Sequence, residues 1–208
     1  MVKLRLPPPT RNVTPQFEIL KPGQKLLRIF DPTRYGATAI GFRHYGPLGR
    51  FDHHRGKTPA ADPARGIIYA GMTLSCCLVE VFGDGDVIEV NQQQVACLTL
   101  TDSLKLLDLR GAAAMQAGTV AAISAIAQRS ISQAWGRYFY EHPQLYQEVD
   151  GLIFNNAHNA EEAIALYERA KRQITSADVK VMELNHPELR SAIFRIAARH
   201  DLLVQPYG

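Results

Sequence analysis

With three cysteines, one tryptophan and no long apolar run, this chain falls outside several classes at once. Cys76 and Cys77 are neighbours on one predicted helix and would not bridge each other, and Cys97 sits in an apolar strand. All three read as buried thiols, and no pair has zinc-finger spacing, so a disulfide scaffold and a structural zinc site are both excluded. No segment is apolar enough for long enough to span a bilayer, and the opening MVKLRLPPPTRN has no apolar core of a signal peptide. The expectation is a cytoplasmic protein with no membrane partner. Charge of one sign is also scarce: the net charge is only +3 and is spread along the chain. The densest basic stretches, Arg34 to Arg55 and Arg169 to Arg172, are too short for the clustered stripe a nucleic acid would need. An alternative use of the arginines is to bind a phosphorylated small molecule, whose oxygens the planar guanidinium grips in pairs. Internal repeats and linkers are lacking too.

What is there is an ordinary globular composition, 46% apolar and 21% charged over 208 residues, enough for one core. The chain is organised around Arg65 to Gly83, RGIIYAGMTLSCCLVEVFG. Ile67 to Tyr69 predict a short buried strand and Ala70-Gly71 a turn. Thr73 predicts a helix cap, after which Leu74, Leu78 and Val81 fall on one apolar stripe. Glu80 is the only carboxylate of that helix. It lies on an exposed stripe, pairs with an arginine, or does chemistry, because burying an unpartnered carboxylate is costly.

Ahead of this stretch, residues 1–24 read as an extended, proline-rich arm. Lys25 to Asp31 predict a strand with Arg28 in its middle. Thr33 to Thr58 form a long irregular loop, rich in Gly, Arg, His and aromatics, of the kind that carries function. Asp52, His53 and His54 suggest a metal, but no supporting ligand recurs at helical spacing, so no metal is expected. Behind the stretch, strands are expected at Asp86–Val90, Gln94–Leu100 and Ser103–Leu109. A long helix is expected over Thr119–Tyr138, burying Val120, Ile123, Ile126, Ala127, Ile131 and Trp135. Leu152 to Phe154 predict a buried strand running into Asn155, Asn156, His158 and Asn159. Asn159 and Glu162 then have capping-box spacing for a helix over Ala160–Lys171. Amides at such a junction line a ligand site or simply make a turn. Ala177–Leu184 predict a late strand. A last helix follows, capped by Asn185 with Glu188 and running to about His200. Its apolar face, Leu189, Ile193, Ile196 and Ala197, packs on the body or forms a homodimer interface. The sum is one α+β domain.

Several of these pieces, in this order, resemble the RES family, named for its Arg, Glu and Ser. They are LLRIF, a loop carrying GRF, IYAG followed by LSCCLVEVF, and DGLIF, spread over about Leu26 to Lys171. The resemblance implies a RES-like domain over residues 25–208 with an ADP-ribosyltransferase-like fold of mixed sheets and flanking helices. It implies cleavage of the nicotinamide–ribose bond of NAD, by phosphorolysis or hydrolysis, with NAD as substrate and no cofactor. Many members are toxins neutralised by a helical antitoxin, so an Xre-type antitoxin and inorganic phosphate are implied partners. Arg28 matches the family's Arg, Glu80 its Glu, Tyr69 its strand tyrosine and Arg50 the arginine of the GRF loop. The Ser position falls on Asn156, with Asn155 beside it. The implied catalytic set is Glu80, Arg28 and Tyr69, and the implied NAD-binding set Arg28, Arg50, Tyr69, Asn155 and Asn156. The chemistry is consistent with those roles: a carboxylate stabilises an oxocarbenium-like ribose, guanidiniums hold a pyrophosphate, and a flat ring stacks on nicotinamide. The alternatives are an NAD- or ADP-ribose-binding module with little turnover, and a protein ADP-ribosyltransferase.

Overall fold

The computed structural model describes residues 4–205. In chain order the strands are β1 (Phe17–Leu20), β2 (Lys25–Phe30), β3 (Tyr45–Gly46), β4 (Ala60–Ala61), β5 (Ile67–Gly71), β6 (Val87–Ile88), β7 (Gln94–Thr99), β8 (Leu104–Asp108), β9 (Gly151–Asn155), β10 (Glu162–Tyr167), β11 (Asp178–Glu183) and β12 (Leu203–Val204). The helices are α1 (Leu74–Phe82), α2 (Gly111–Gln116), α3 (Arg129–Glu141), α4 (Pro143–Tyr146), α5 (Lys171–Ser176) and α6 (Pro187–Arg199). Eight strands form one mixed sheet in the order β1-β8-β9-β10-β5-β2-β7-β11. Only β8 and β9 run parallel in it. The remaining strands make two small pairs, β3 with β4 and β6 with β12. The fold is α+β, as the sequence pattern predicts.

The centre of the sheet is covered on both faces, and strand alternation sorts its side chains between two cores. Leu152 and Phe154 of β9 and Ala163, Ala165 and Tyr167 of β10 face α3, where Trp135 and Phe139 are buried. Ile153, Ile164 and Leu166 point the other way, onto Leu26, Phe30 and Ile174. A third core joins α1 and α6 through Leu78, Phe82, Ile193 and Ala197. Leu189 and Ile196 pack against that core, so the apolar face of α6 is spent on the body of its own chain.

Four expectations are corrected. The largest is β10, which lies within the stretch expected as a helix over Ala160–Lys171. EAIALY is buried along almost its whole length and pairs antiparallel with both β5 and β9. A short run buried on both faces carries no alternation, so its periodicity does not distinguish strand from helix. Asn159 caps no helix; its Oδ1 accepts from the Glu161 amide and from Asn156 Nδ2. The helix expected over Thr119–Tyr138 is instead a 3-10 turn, Ala121–Ser124, followed after a break by α3. The Ile126 carbonyl in that break accepts from Arg50 Nη1. The segment expected as an extended arm supplies β1, which pairs with β8 at the sheet edge. The helix cap expected at Asn185 falls one residue later, where His186 Nδ1 accepts from the Glu188 amide.

Candidate functional site

Thr73 caps α1 as its sequence predicts, its Oγ1 accepting from the Cys76 amide at 2.9 Å. The buried side of α1 is Cys76, Cys77, Leu78, Val79 and Phe82, whereas Val81, expected on the apolar stripe, is 46% exposed. Val81 and Glu80 both face a cavity of about 600 Å³. β2 brings Arg28 to this cavity, the loop after β3 brings Arg50, and β5 brings Tyr69. Four residues expected to act together therefore converge from four separate segments.

Each is held by the scaffold. Arg28 Nη1 donates to the Gly41 carbonyl at 3.0 Å. Burial, with Arg43 nearby, lowers the Arg28 guanidinium to about 10. Arg50 is tied to the Ile126 carbonyl, and burial also lowers it, against the pull of Glu80. Burial raises the Glu80 carboxyl above the ordinary glutamate value, opposed by the charges of His158 and Arg50 and by the Ala157 amide. Tyr69 lines the cavity, but its hydroxyl is already engaged. It donates to Asp52 Oδ1 at 2.8 Å and accepts from the Phe51 amide at 2.9 Å. Burial first, then Asp52, raises that hydroxyl well above its ordinary value.

Asp52 is the hub behind the cavity wall. It is fully buried and accepts from Arg43 Nη2 at 2.9 and 2.8 Å and from the Leu48 and Gly49 amides. Burial pushes its carboxyl up. Arg43, the Leu48 amide and Tyr69 outweigh burial and hold it below the ordinary aspartate value. The loop bearing Arg50 is therefore clamped through a carboxylate that does not line the cavity. Its neighbour His53 bonds elsewhere, to Glu168 Oε2 at 2.9 Å. Among the described residues, no group of three or more His, Cys, Asp or Glu side chains is placed to hold a metal ion.

Asn155 and Asn156 do not line the cavity. Asn155 Nδ2 donates to the Ala160 carbonyl. Asn156 is 4% exposed, and its Oδ1 accepts from the His158 and Asn159 amides, both at 2.9 Å. Its Nδ2 reaches Asn159 Oδ1 at 2.7 Å and the Cys76 sulfur, a cavity-wall atom, at 3.3 Å. Among the arginines, carboxylates and histidine of the cavity, Asp84, Arg129 and His158 had no site role in the sequence reading. Arg129 opens α3 at the rim, and His158 stands in the turn after β9. The signal for His158 was its place in the polar run after DGLIF; for Arg129 the sequence offers none.

Fold and cavity together define an α+β domain with a small-molecule type of site, concave and lined by apolar and charged side chains in comparable measure. The RES domain model matches residues 25–189, and the chain belongs to that family. Among solved structures it is similar to a chain of the crystal structure of the M. tuberculosis MbcT–MbcA toxin–antitoxin complex, with a TM-score of 0.54 and 16% identity. That likeness covers 86% of this chain and 92% of the other, and at such identity it is a likeness of fold. No curated protein matches the chain.

Proposed function

We propose that this protein is an NAD-consuming enzyme that cleaves the bond between nicotinamide and ribose, and that it acts as the toxin of a bacterial toxin–antitoxin pair. The observation that carries the reading is the placement of Glu80 on the wall of a cavity that also holds Arg28, Arg50 and Tyr69. Loss of nicotinamide leaves positive charge on the ribose, and a carboxylate in a partly desolvated site stabilises that charge far better than one in water. Arg28 and Arg50 supply the cations for a pyrophosphate, and burial lowers both guanidiniums. The Tyr69 ring supplies a stacking face, while its hydroxyl stays with Asp52. Water or inorganic phosphate serves as the acceptor. RES family membership supports the NAD reading, and the likeness to a toxin–antitoxin complex supports an antitoxin partner. No helix among the described residues is long and apolar enough to cross a membrane, and a cytoplasmic site of action suits an NAD consumer.

The test is nicotinamide release from NAD by purified protein, with and without inorganic phosphate. Glu80→Gln removes release by about 10²-fold or more while the melting temperature holds. Retained turnover in that variant removes Glu80 from the mechanism. The active form of Glu80 is the carboxylate, and its pKa is raised. Turnover is therefore lost, as pH falls, at a higher pH than for an ordinary glutamate. One observation favours a second reading, a binding module without turnover: Asn156, at the family's serine position, is sealed behind the wall. Thermal stabilisation by NAD without nicotinamide release selects that reading.

A further inference from the structure

Glu80 and His158 line the same cavity, and the charge of His158 acts on the Glu80 carboxyl. The turn after β9 presents the histidine. The His158 amide is fixed to Asn156 Oδ1 at 2.9 Å, and its imidazole lies directly on the backbone at Gly83, the residue that ends α1. A Cβ at Gly83 would stand 2.8 Å from Nδ1. Gly83 follows Glu80 by three residues, the spacing that puts two positions on one helix face. The ring is thereby set beside the carboxylate, and of the groups that oppose the rise in the Glu80 pKa its charge is the strongest. The His158 side chain is 29% exposed and lines the cavity, and Nε2 lies 3.8 Å from Asp84 Oδ1, beyond hydrogen-bond reach. Facing it are Asp84 from the loop after α1, Glu80 from α1, Arg50 from the loop after β3 and Arg129 from α3.

We propose that His158 is a catalytic residue, the general base that lets this site use water as the acceptor. The inference rests on the NAD-cleaving reading and assigns it a second group. One carboxylate serves two roles badly: while Glu80 balances the cationic ribose, that same cation lowers its basicity toward a water proton. In the step, the water oxygen bonds to ribose C1′ as the bond from C1′ to the nicotinamide nitrogen breaks. The electron pair of that bond stays on the ring nitrogen, and nicotinamide leaves neutral. The water proton passes to His158 Nε2 and from there to solvent, with Asp84 and Glu80 stabilising the transient imidazolium. A phosphate dianion needs no such deprotonation, so His158 matters for hydrolysis and not for phosphorolysis.

The experiment measures nicotinamide release from NAD in phosphate-free buffer over about pH 5 to 8 for the wild type, Glu80→Gln, His158→Ala and His158→Gln. NAD-induced thermal shifts and release in added phosphate are measured in parallel. In both His158 variants hydrolysis falls by about 10²-fold or more, while the thermal shift stays. Added imidazole restores part of the rate in His158→Ala, an effect a merely structural histidine does not give. Should His158→Ala misfold, His158→Gln decides the matter. Hydrolysis within about threefold of wild type with an unchanged pH profile overturns the inference, as does a wild type that releases nicotinamide only with phosphate. Wild-type protein with no release under either condition refutes the NAD-cleaving reading itself, an outcome distinct from Glu80-dependent release that ignores His158.

Discussion

Tyr69→Phe separates the two ends of one side chain. The ring lines the cavity, and the hydroxyl belongs to the scaffold. Phenylalanine keeps the ring and deletes an oxygen that donates to Asp52 at 2.8 Å and accepts from the Phe51 amide at 2.9 Å. The first bond ends on a buried ionised acceptor and is worth about 1.5–3 kcal/mol; the orphaned amide adds about 1–3 kcal/mol. Asp52 keeps Arg43 and the amides of Leu48 and Gly49, which moderates the loss. The expected net cost is about 2–4 kcal/mol, or roughly 5–15 °C in melting temperature for a chain of this size. Urea unfolding of the two proteins measures the cost directly, and NAD binding below both melting temperatures reports on the ring. A loss under about 0.5 kcal/mol would show that the hydroxyl does not anchor the loop. Full stability with collapsed turnover would place the hydroxyl in the chemistry instead.

Two further outcomes follow from buried polar groups. Burial lowers His53, against the pull of Glu168, and burial likewise lowers His54, whose ring nitrogens lack hydrogen bonds. The unfolded chain takes up protons near pH 6.5 while the folded chain resists them, so stability is full above about pH 6.5 and falls below it. A urea midpoint that stays flat from about pH 7.5 to about pH 5 refutes this. Asn156→Ser keeps an oxygen for the His158 and Asn159 amides but loses the Nδ2 bonds to Asn159 and Cys76. It costs about 1–2 kcal/mol by chemical denaturation, and an unchanged midpoint would show that the amide is not what fixes the turn.

Local chemistry made part of this molecule legible. Thr73 announces α1, and the strands flanking it follow from short apolar runs between turn residues. The convergence of Arg28, Arg50, Tyr69 and Glu80 was legible only as a family pattern, because β2, the loop after β3, β5 and α1 meet through the sheet and not through sequence spacing. β10 was misread for a physical reason: a strand buried on both faces has no polar side, and Asn159–Glu162 mimics a cap. The helix break at Ile126 was hidden because the side chain that binds its carbonyl, Arg50, lies far away in the chain. Asp52 beside two histidines suggested a metal that the spacing argued against, and its actual role was not legible. Only the fold shows that Arg43 claims it.

The bond from Arg50 to the Ile126 carbonyl has a consequence for how the cavity can change. Ala125 and Ala127 flank that carbonyl and line the cavity with single methyl groups. The wall is pinned through its backbone, so its path does not depend on which side chains it carries. Both alanines are exposed, and neither belongs to the buried core. Larger residues at these two positions would narrow the chamber without loosening the fold. Ligand size can thus drift in this lineage, or be tuned by design, while the arginine that grips the wall stays fixed.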